Sequence, residues 1–246
     1  VDRRTGAGKT TLADLLMQEL ATLEARLSVA APAEGEAGGE LARLNRAPLG
    51  ERVPLSPAVW KGLSNAVRCA VETDGAGDPT AGALVDAWDL AGEGRLADFR
   101  SDVDLFARGA ALAGALELAR EAEPEAEVRF DLGGQLAWTG VRAPLAVGIA
   151  DPRDPERQVL EVRLELASGS VATSGVRDRP HAVDGRHFRG RLDPRTGQPA
   201  VDFGSATSIG PSPALADCRA AALFVLGPRA AAARLAGSPS QGDNIL

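Results

Sequence analysis

Residues 208–227, SIGPSPALADCRAAALFVLG, change character partway along. A short run with serine and isoleucine ends at Gly210, and Ser212 and Pro213 then precede a long stretch of alanine and leucine. A serine side chain accepts hydrogen bonds from the free N–H groups of a first helical turn, and proline suits the first helical position because it has no N–H to lose. The stretch therefore predicts a strand, a turn and a helix over 213–226.

Two kinds of segment precede this stretch. Apolar spacing, alanine and leucine content, and helix-start residues predict helices near 11–28, 57–73 and 105–121. Short alternating runs, separated by Gly, Pro and Asp, predict antiparallel strands across 128–208. Grouped helices and a run of strands are typical of an α+β fold. We predict a single domain over 1–246 in which an antiparallel sheet packs against helices.

The helix at 57–73 has a predicted start and a predicted face. Ser56 is expected to be its N-cap, with proline at the first helical position. Its buried face is expected to carry Val59, Leu63 and Val67.

Charge and composition limit the classes of partner. The chain has 246 residues, a net charge of -7 and a pI near 5.0, so no basic surface for nucleic acid is expected. No apolar stretch reaches membrane-spanning length and no signal peptide is recognised. Cys69 and Cys218 fit no metal-binding spacing and lie far apart, which predicts two reduced thiols inside helices. The sequence as written favours a cytoplasmic location, and a trimmed N-terminus would favour a periplasmic or membrane-anchored one.

The first residues contain a partial phosphate-binding motif. TGAGKTTLADLL, at 5–16, has the Gly-Lys-Thr of a phosphate loop, but Arg3 stands where such a loop needs its first glycine. The same residues are typical of a helix start with Thr10 or Thr11 as the N-cap. Nucleotide binding through residues 5–11 is therefore kept as a remote alternative.

Six segments follow one another in a characteristic order: GELARLNRAP (39–48), GAGDPTAGALVDAW (75–88), VRFDLGGQLAWTG (128–140), VATSGVRDRPHAVDGRHF (171–188), LDPRTGQP (192–199) and SIGPSPALADCRAAALFVLG (208–227). In this order they resemble the ApbE family of FAD:protein FMN transferases. The resemblance implies a sheet packed on helices, FAD and Mg²⁺ as cofactors, and transfer of FMN to a threonine of an acceptor protein with release of AMP. A hard cation held by oxygen ligands suits that chemistry, because it neutralises a pyrophosphate.

The resemblance also implies a metal site on the last helix. The family's D-x-x-x-T run places Asp217 as the catalytic, metal-binding aspartate and Ala221 at the threonine position. Its A-K-G-Y segment, ARGA here, places a main-chain carbonyl ligand on Ala107. Because Ala221 has no side-chain oxygen, weaker Mg²⁺ binding than is usual for the family is expected. Taken alone, Asp217 is also a favourable first-turn acid of a helix.

The flavin-binding positions implied by the resemblance are Ala76, Gly77, Asp78, Asp104, Ala110, Leu192, Asp193 and Thr196. Gly77 and Ala110 stand where the family carries aromatic residues. Each lost ring removes stacking worth roughly 1–3 kcal/mol, by analogy with bases on aromatic side chains. Two alternatives stay open. One is a working transferase that holds flavin with Trp88, Phe106 or Trp138, and the other is a weak or inactive homologue that serves as a flavin-binding or scaffold module.

Overall fold

The computed structural model describes residues 7–28, 38–81, 84, 102–175, 181–183, 186–188, 191–237 and 244–245. These residues contain five helices and eleven short strands. The helices are α1 (Ala7–Leu27), α2 (Glu40–Arg46), α3 (Pro57–Glu72), α4 (Asp102–Ala122) and α5 (Pro213–Gly237). The strands are β1 (Val128–Leu132), β2 (Gln135–Thr139), β3 (Leu145–Asp151), β4 (Asp154–Leu164), β5 (Gly169–Gly175), β6 (His181–Val183), β7 (Arg186–Phe188), β8 (Leu192–Asp193), β9 (Gln198–Pro199), β10 (Ser205–Gly210) and β11 (Asn244–Ile245). Within these ranges, no helix has both the length and the apolar content that a membrane span requires.

The main sheet has five strands in the order β1-β2-β5-β10-β11, and each neighbouring pair is antiparallel. The pairs β3–β4, β6–β7 and β8–β9 are separate and also antiparallel. The predicted α+β class, with an antiparallel sheet packed against helices, is confirmed.

The last helix lies on the central strands of this sheet. Ala216 and Ala220 of α5 pack on Ala172 of β5, and all three are buried. Small side chains at this contact let the helix approach the strands closely. The start of α5 is therefore held in a fixed position relative to β5 and β10.

Helix α4 packs on both α5 and β2. A methyl group placed at Gly109 would lie 2.9 Å from the Cα atom of Ala214 in α5, so this approach requires a glycine. Further along α4, Leu112 and Leu116 pack on Ala137 of β2. A second cluster of buried residues links α1, α2, α3 and α4: Leu23, Leu27, Leu41, Val59, Ala66, Ala110 and Ala111.

Helix α1 begins earlier than predicted. It starts at Ala7, so Thr10 and Thr11 lie inside the helix and neither is its N-cap. In a phosphate loop the Gly-Lys-Thr residues lie at the start of a helix, and the turn and strand before them decide the motif. Gly8 and Lys9 are helical, and the residues before Ala7 lie outside the described part of the chain, so nucleotide binding through residues 5–11 stays a prediction.

Helix α3 has the predicted start and part of the predicted buried face. Ser56 is at the N-cap position and Pro57 is the first helical residue, as predicted. The Ser56 side chain makes no capping hydrogen bond, and its backbone N–H donates to Glu40 Oε2 at 2.6 Å. Val59 is buried, but Val67 is 57% exposed, so the predicted apolar face is wrong at that residue. Val67 follows Val59 by eight residues, which places its side chain about 80° around the helix axis from that of Val59. The two side chains therefore do not share one narrow face.

Helix α5 begins as predicted. Ser212 Oγ accepts a hydrogen bond from the backbone N–H of Leu215 at 3.4 Å, and Pro213 is the first helical residue. The helix is interrupted at Gly227, whose φ of 74° lies in the left-handed region, and Pro228 follows. The predicted end at 226 matches this break, and a second helical segment continues to Gly237.

Candidate functional site

Three segments meet beside the first half of α5. Helix α4 contacts α5 where Gly109 lies against Ala214. The turn at 73–81 touches it at Gly77, where an added methyl group would lie 3.1 Å from the Cβ atom of Ala222. The β8–β9 turn reaches the 73–81 turn, because a methyl group at Gly75 would lie 3.5 Å from Arg195 Cγ. These segments contain the predicted flavin and metal residues, so the fold brings those residues to one region.

Asp217 lies near the start of α5 and is only 4% exposed. Its Oδ2 atom is buried and accepts no hydrogen bond from the described residues, although the residue as a whole is held by another interaction. Ala221 follows one turn later on the same face and is also buried. A carboxylate is a hard oxygen donor of the kind that Mg²⁺ prefers. Asp217 therefore fits one ligand of a Mg²⁺ site, and Ala221 contributes no oxygen from its side chain.

The carbonyl predicted as a metal ligand lies within a helix. Ala107 is in the second turn of α4, where each carbonyl accepts the N–H four residues further on, here that of Ala111. A second lone pair remains for a cation. Asp104 lies in the first turn, but its side chain is outside the described part, and Ala110 is buried. No group of three or more His, Cys, Asp or Glu side chains gathers to hold a metal among the described residues.

The turn after α3 is closed by its own side chains. Oδ1 of Asp78 accepts hydrogen bonds from the N–H of Thr80 at 2.8 Å and from its hydroxyl at 2.7 Å. The N–H of Gly77 donates to Thr73 Oγ1 at 3.1 Å. Ala76 is buried against α5 and supports the turn from beneath. Gly77 and Asp78 are partly exposed, so they are the predicted flavin residues of this turn that a ligand can reach.

The β8–β9 turn is closed by an ion pair. Arg195 donates to Oδ1 of Asp193 at 2.8 Å and to Oδ2 at 2.7 Å. These hydrogen bonds lower the pKa of the Asp193 carboxyl and raise the pKa of the Arg195 guanidinium. The N–H of Thr196 donates to the Asp193 carbonyl at 3.2 Å, and Leu192 is buried. Asp193 and Thr196 therefore hold the shape of this turn, and Leu192 anchors it in the core.

The two cysteines form a disulfide, so the prediction of two reduced thiols is wrong. Cys69 lies in the last turns of α3, and Cys218 directly follows Asp217 in α5. Their Cα atoms are 6.4 Å apart although 149 positions separate them in the chain. The pairing depends on the contact between α3 and α5, which exists only in the folded protein.

A second link between α3 and α5 lies beside the disulfide. Arg219 donates to Glu72 Oε2 from Nε at 3.1 Å and from Nη2 at 2.8 Å, and Arg68 donates to Oε1 at 2.7 Å. Partial burial acts to raise the pKa of Glu72, but the hydrogen bonds and charges of Arg219 and Arg68 together outweigh it and lower the pKa below its ordinary value of 4.5. Arg234 completes the link by donating to the Glu72 carbonyl at 2.5 Å and by pairing with Asp74.

This link predicts a pH-dependent contribution to stability. Because the pKa of Glu72 is lower in the folded protein, its ionised form stabilises the fold above about pH 4.5, and that contribution is lost as the pH falls below that value. The difference in free energy of unfolding between the wild type and Glu72→Gln should therefore be largest near neutral pH and shrink in acid. Urea titrations from about pH 7 to pH 3 measure it.

Glu117→Gln is the matched control, because Glu117 forms an exposed ion pair with Lys61 that should contribute little. A difference for Glu72→Gln that stays constant across this pH range would contradict the prediction.

The alternative that Trp138 contacts flavin is wrong. Its side chain is 1% exposed and its Nε1 donates to the Leu166 carbonyl at 2.8 Å, so it belongs to the core. Trp88 and the side chain of Phe106 lie outside the described part of the chain.

Gln135 is a residue of this region that the sequence did not single out. Its Nε2 donates to the carbonyl of Pro213, the first residue of α5, at 2.8 Å. The side chain is buried, and its Oε1 atom accepts no hydrogen bond from the described residues. The only sequence signal was a polar residue directly after Gly133-Gly134. Gln135 therefore ties the start of β2 to the start of α5.

The antiparallel five-stranded sheet with helices packed against it defines an α+β protein. The solved ApbE protein of Thermotoga maritima superposes with a TM-score of 0.79 at 23% identity, covering 100% of this chain and 87% of that one. The ApbE family profile matches residues 5–105 and 95–244, and the chain belongs to the ApbE family.

Two curated relatives carry the name FAD:protein FMN transferase. The protein of Salmonella typhimurium is 30% identical over 214 residues, which cover 71% of this chain and 61% of the relative. That of Escherichia coli K12 is 28% identical over 218 residues, covering 72% and 62%. The chain thus spans about three fifths of the length of these relatives.

Proposed function

We propose that this protein transfers FMN from FAD to a threonine hydroxyl of an acceptor protein and releases AMP. One observation carries the proposal: α4 at Gly109 and the 73–81 turn at Gly77 contact α5 at Ala214, Cys218 and Ala222, which flank the buried Asp217 in the sequence, and the 192–197 turn contacts the 73–81 turn. The name of the curated relatives, FAD:protein FMN transferase, supports FMN transfer from FAD to a protein.

The proposed reaction exchanges one phosphorus–oxygen bond for another. The threonine oxygen forms a bond to the FMN phosphorus and loses its hydroxyl proton to water, the bond from that phosphorus to the bridging pyrophosphate oxygen breaks, and AMP leaves with that oxygen. Gly77 and Gly109 let main chain come close at the edges of the region. Asp217 would hold Mg²⁺, which when bound supplies positive charge to the pyrophosphate. The threonine must come from the acceptor protein.

A flavin-binding module without transferase activity is the second candidate. It is favoured by Ala221, which lacks the oxygen of the family's threonine, and by Gly77 and Ala110, which lack aromatic rings.

One experiment separates the two candidates. The protein is incubated with FAD, Mg²⁺ and a peptide that carries the family's threonine acceptor motif, and the peptide and nucleotides are analysed by mass spectrometry. The proposal expects an added FMN group on the peptide and an equal amount of AMP. Binding of FAD, seen as a change in flavin fluorescence, without either product would support the flavin-binding module and overturn the transferase.

The metal assignment makes a separate prediction. Ala221→Thr should strengthen Mg²⁺ binding, because it adds a hydroxyl oxygen one helical turn from Asp217. Titration calorimetry with Mg²⁺ measures the change. Ala221→Val is the control, since valine adds nearly the same volume to this buried position without an oxygen. Equal Mg²⁺ affinity in the two variants would count against the ligand assignment.

The disulfide also bears on location. We propose that the protein works in an oxidising compartment, because disulfides persist mainly in such places. The periplasmic or membrane-anchored alternative is thereby favoured over the cytoplasmic one. Thiol labelling of intact cells checks this, and both cysteines reacting without prior reduction would contradict it.

A further inference from the structure

We infer that the Cys69–Cys218 disulfide positions the candidate flavin site, so that flavin affinity depends on whether this bond is intact. The inference rests on the proposed binding of FAD. It adds a requirement on two residues that the proposed reaction does not itself use.

The two sulfur atoms form the surface on which the 73–81 turn rests. A methyl group placed at Gly77 would lie 3.0 Å from Cys69 Sγ and 3.2 Å from Cys218 Sγ. The φ angle of Gly77 is not positive, so its backbone alone would accept a side chain. The sulfur atoms, together with Ala222, therefore crowd the position where a side chain would begin and where the family carries an aromatic ring.

Hydrogen bonds join this turn to Cys69 as one unit. Thr73 Oγ1 donates to the Cys69 carbonyl at 2.7 Å and accepts from the N–H of Gly77 at 3.1 Å. The N–H of Gly75 donates to the Ala70 carbonyl at 2.8 Å. A movement of Cys69 would therefore carry Gly77 with it.

The other half of the disulfide is attached to the proposed metal ligand. Cys218 is the residue after Asp217, and both lie in the rigid part of α5 before the break at Gly227. The distance between Cys69 and Cys218 thus sets the distance between the 73–81 turn and Asp217.

Cleavage of the bond should loosen this arrangement without unfolding the protein. A dithiol would supply two electrons and two protons: its thiolate attacks Cys218 Sγ, Cys69 leaves as a thiolate and takes a proton, and the second thiol of the dithiol releases Cys218. Cys218 is the partly exposed partner, whereas Cys69 is buried. The ion pair of Glu72 with Arg219 remains and keeps α3 beside α5.

The test measures FAD affinity by flavin fluorescence in three samples: the oxidised protein, the protein treated with dithiothreitol, and Cys69→Ala/Cys218→Ala. All titrations are run well below the melting temperature of each sample. We expect the oxidised protein to bind FAD about tenfold more tightly than the other two, because its turn is already ordered. The double variant should be indifferent to dithiothreitol. Val71→Ala, on the exposed face of α3, should match the oxidised wild type.

Gly77→Ala provides a readout that a merely stabilising disulfide would not move. In the oxidised protein the new methyl group meets both sulfur atoms and should weaken FAD binding, whereas in Cys69→Ala/Cys218→Ala the same change should have less effect. Amide hydrogen exchange at 73–81, measured without flavin, should increase on reduction.

Different results would overturn the inference about the disulfide and the proposed function. Equal FAD affinity and equal exchange in the oxidised and reduced proteins, or two titratable thiols before reduction, would overturn this inference while leaving the proposed function intact. Absence of FAD binding to the oxidised wild type would overturn the proposed function, and this inference with it.

Discussion

Asp217→Ala is expected to lower the rate of FMN transfer by at least about a hundredfold, since it removes the charge that would stabilise a bound cation and, through it, the transition state. The carboxylate is buried, so bulk water cannot replace its charge effectively. The rate of FMN addition to an acceptor peptide at saturating FAD measures the effect. Circular dichroism shows whether the variant is folded.

Two further variants sharpen this result. Asp217→Asn keeps the shape of the side chain and should lose nearly as much activity, because only the charge is removed. Asp14→Ala removes an exposed carboxylate from α1 and should retain full activity. If Asp217→Ala lost stability but kept most of its transfer rate, Asp217 would be a helix-start acid and nothing more.

Trp138→Ala should destabilise the fold by about 3–5 kcal/mol, the usual range for removing a large buried aromatic side chain. The indole packs against Val141, Val147 and Val171. It also lies on Gly169, where an added methyl group would be 2.6 Å from its Cζ2 atom. Removing the ring leaves a cavity and deprives the Leu166 carbonyl of its donor. Urea unfolding followed by circular dichroism measures the loss.

Trp60→Ala is the matched control for this prediction. Trp60 is 64% exposed on α3, so the same substitution removes little buried area and should change the free energy of unfolding by under about 1 kcal/mol. Comparable losses for the two variants would show that Trp138 is not a core residue.

Local chemistry was enough to predict most of the fold. Ser212-Pro213 and Ser56-Pro57 mark helix starts in the structure as they do in the sequence. Helix α2 and strand β11 were not predicted, because short elements carry too little periodicity. The inward face of α3 was predicted only in part, because packing against other helices decides which side is covered.

The site was harder to predict, because its contacts join distant parts of the chain. The resemblance supplied Asp217 and the turns, and the fold brings them to one region. Nothing in the spacing of Cys69 and Cys218 indicated their pairing, nor the ion pair of Glu72 with Arg219. In the sequence, Gly77 indicated only the loss of an aromatic ring. In the structure, the sulfur atoms of the disulfide lie close to the position where a side chain of residue 77 would begin.

Strand β11 is only two residues long, yet it covers the outer edge of β10 at two positions, with Ile245 opposite Ser208 and Asn244 opposite Ile209. An uncovered edge strand offers its N–H and C=O groups to any other extended chain. We therefore expect this short pairing to increase solubility more than it increases the free energy of unfolding. A truncated protein that lacks residues 244–246 should keep its melting temperature nearly unchanged but aggregate at lower concentration, which light scattering would detect.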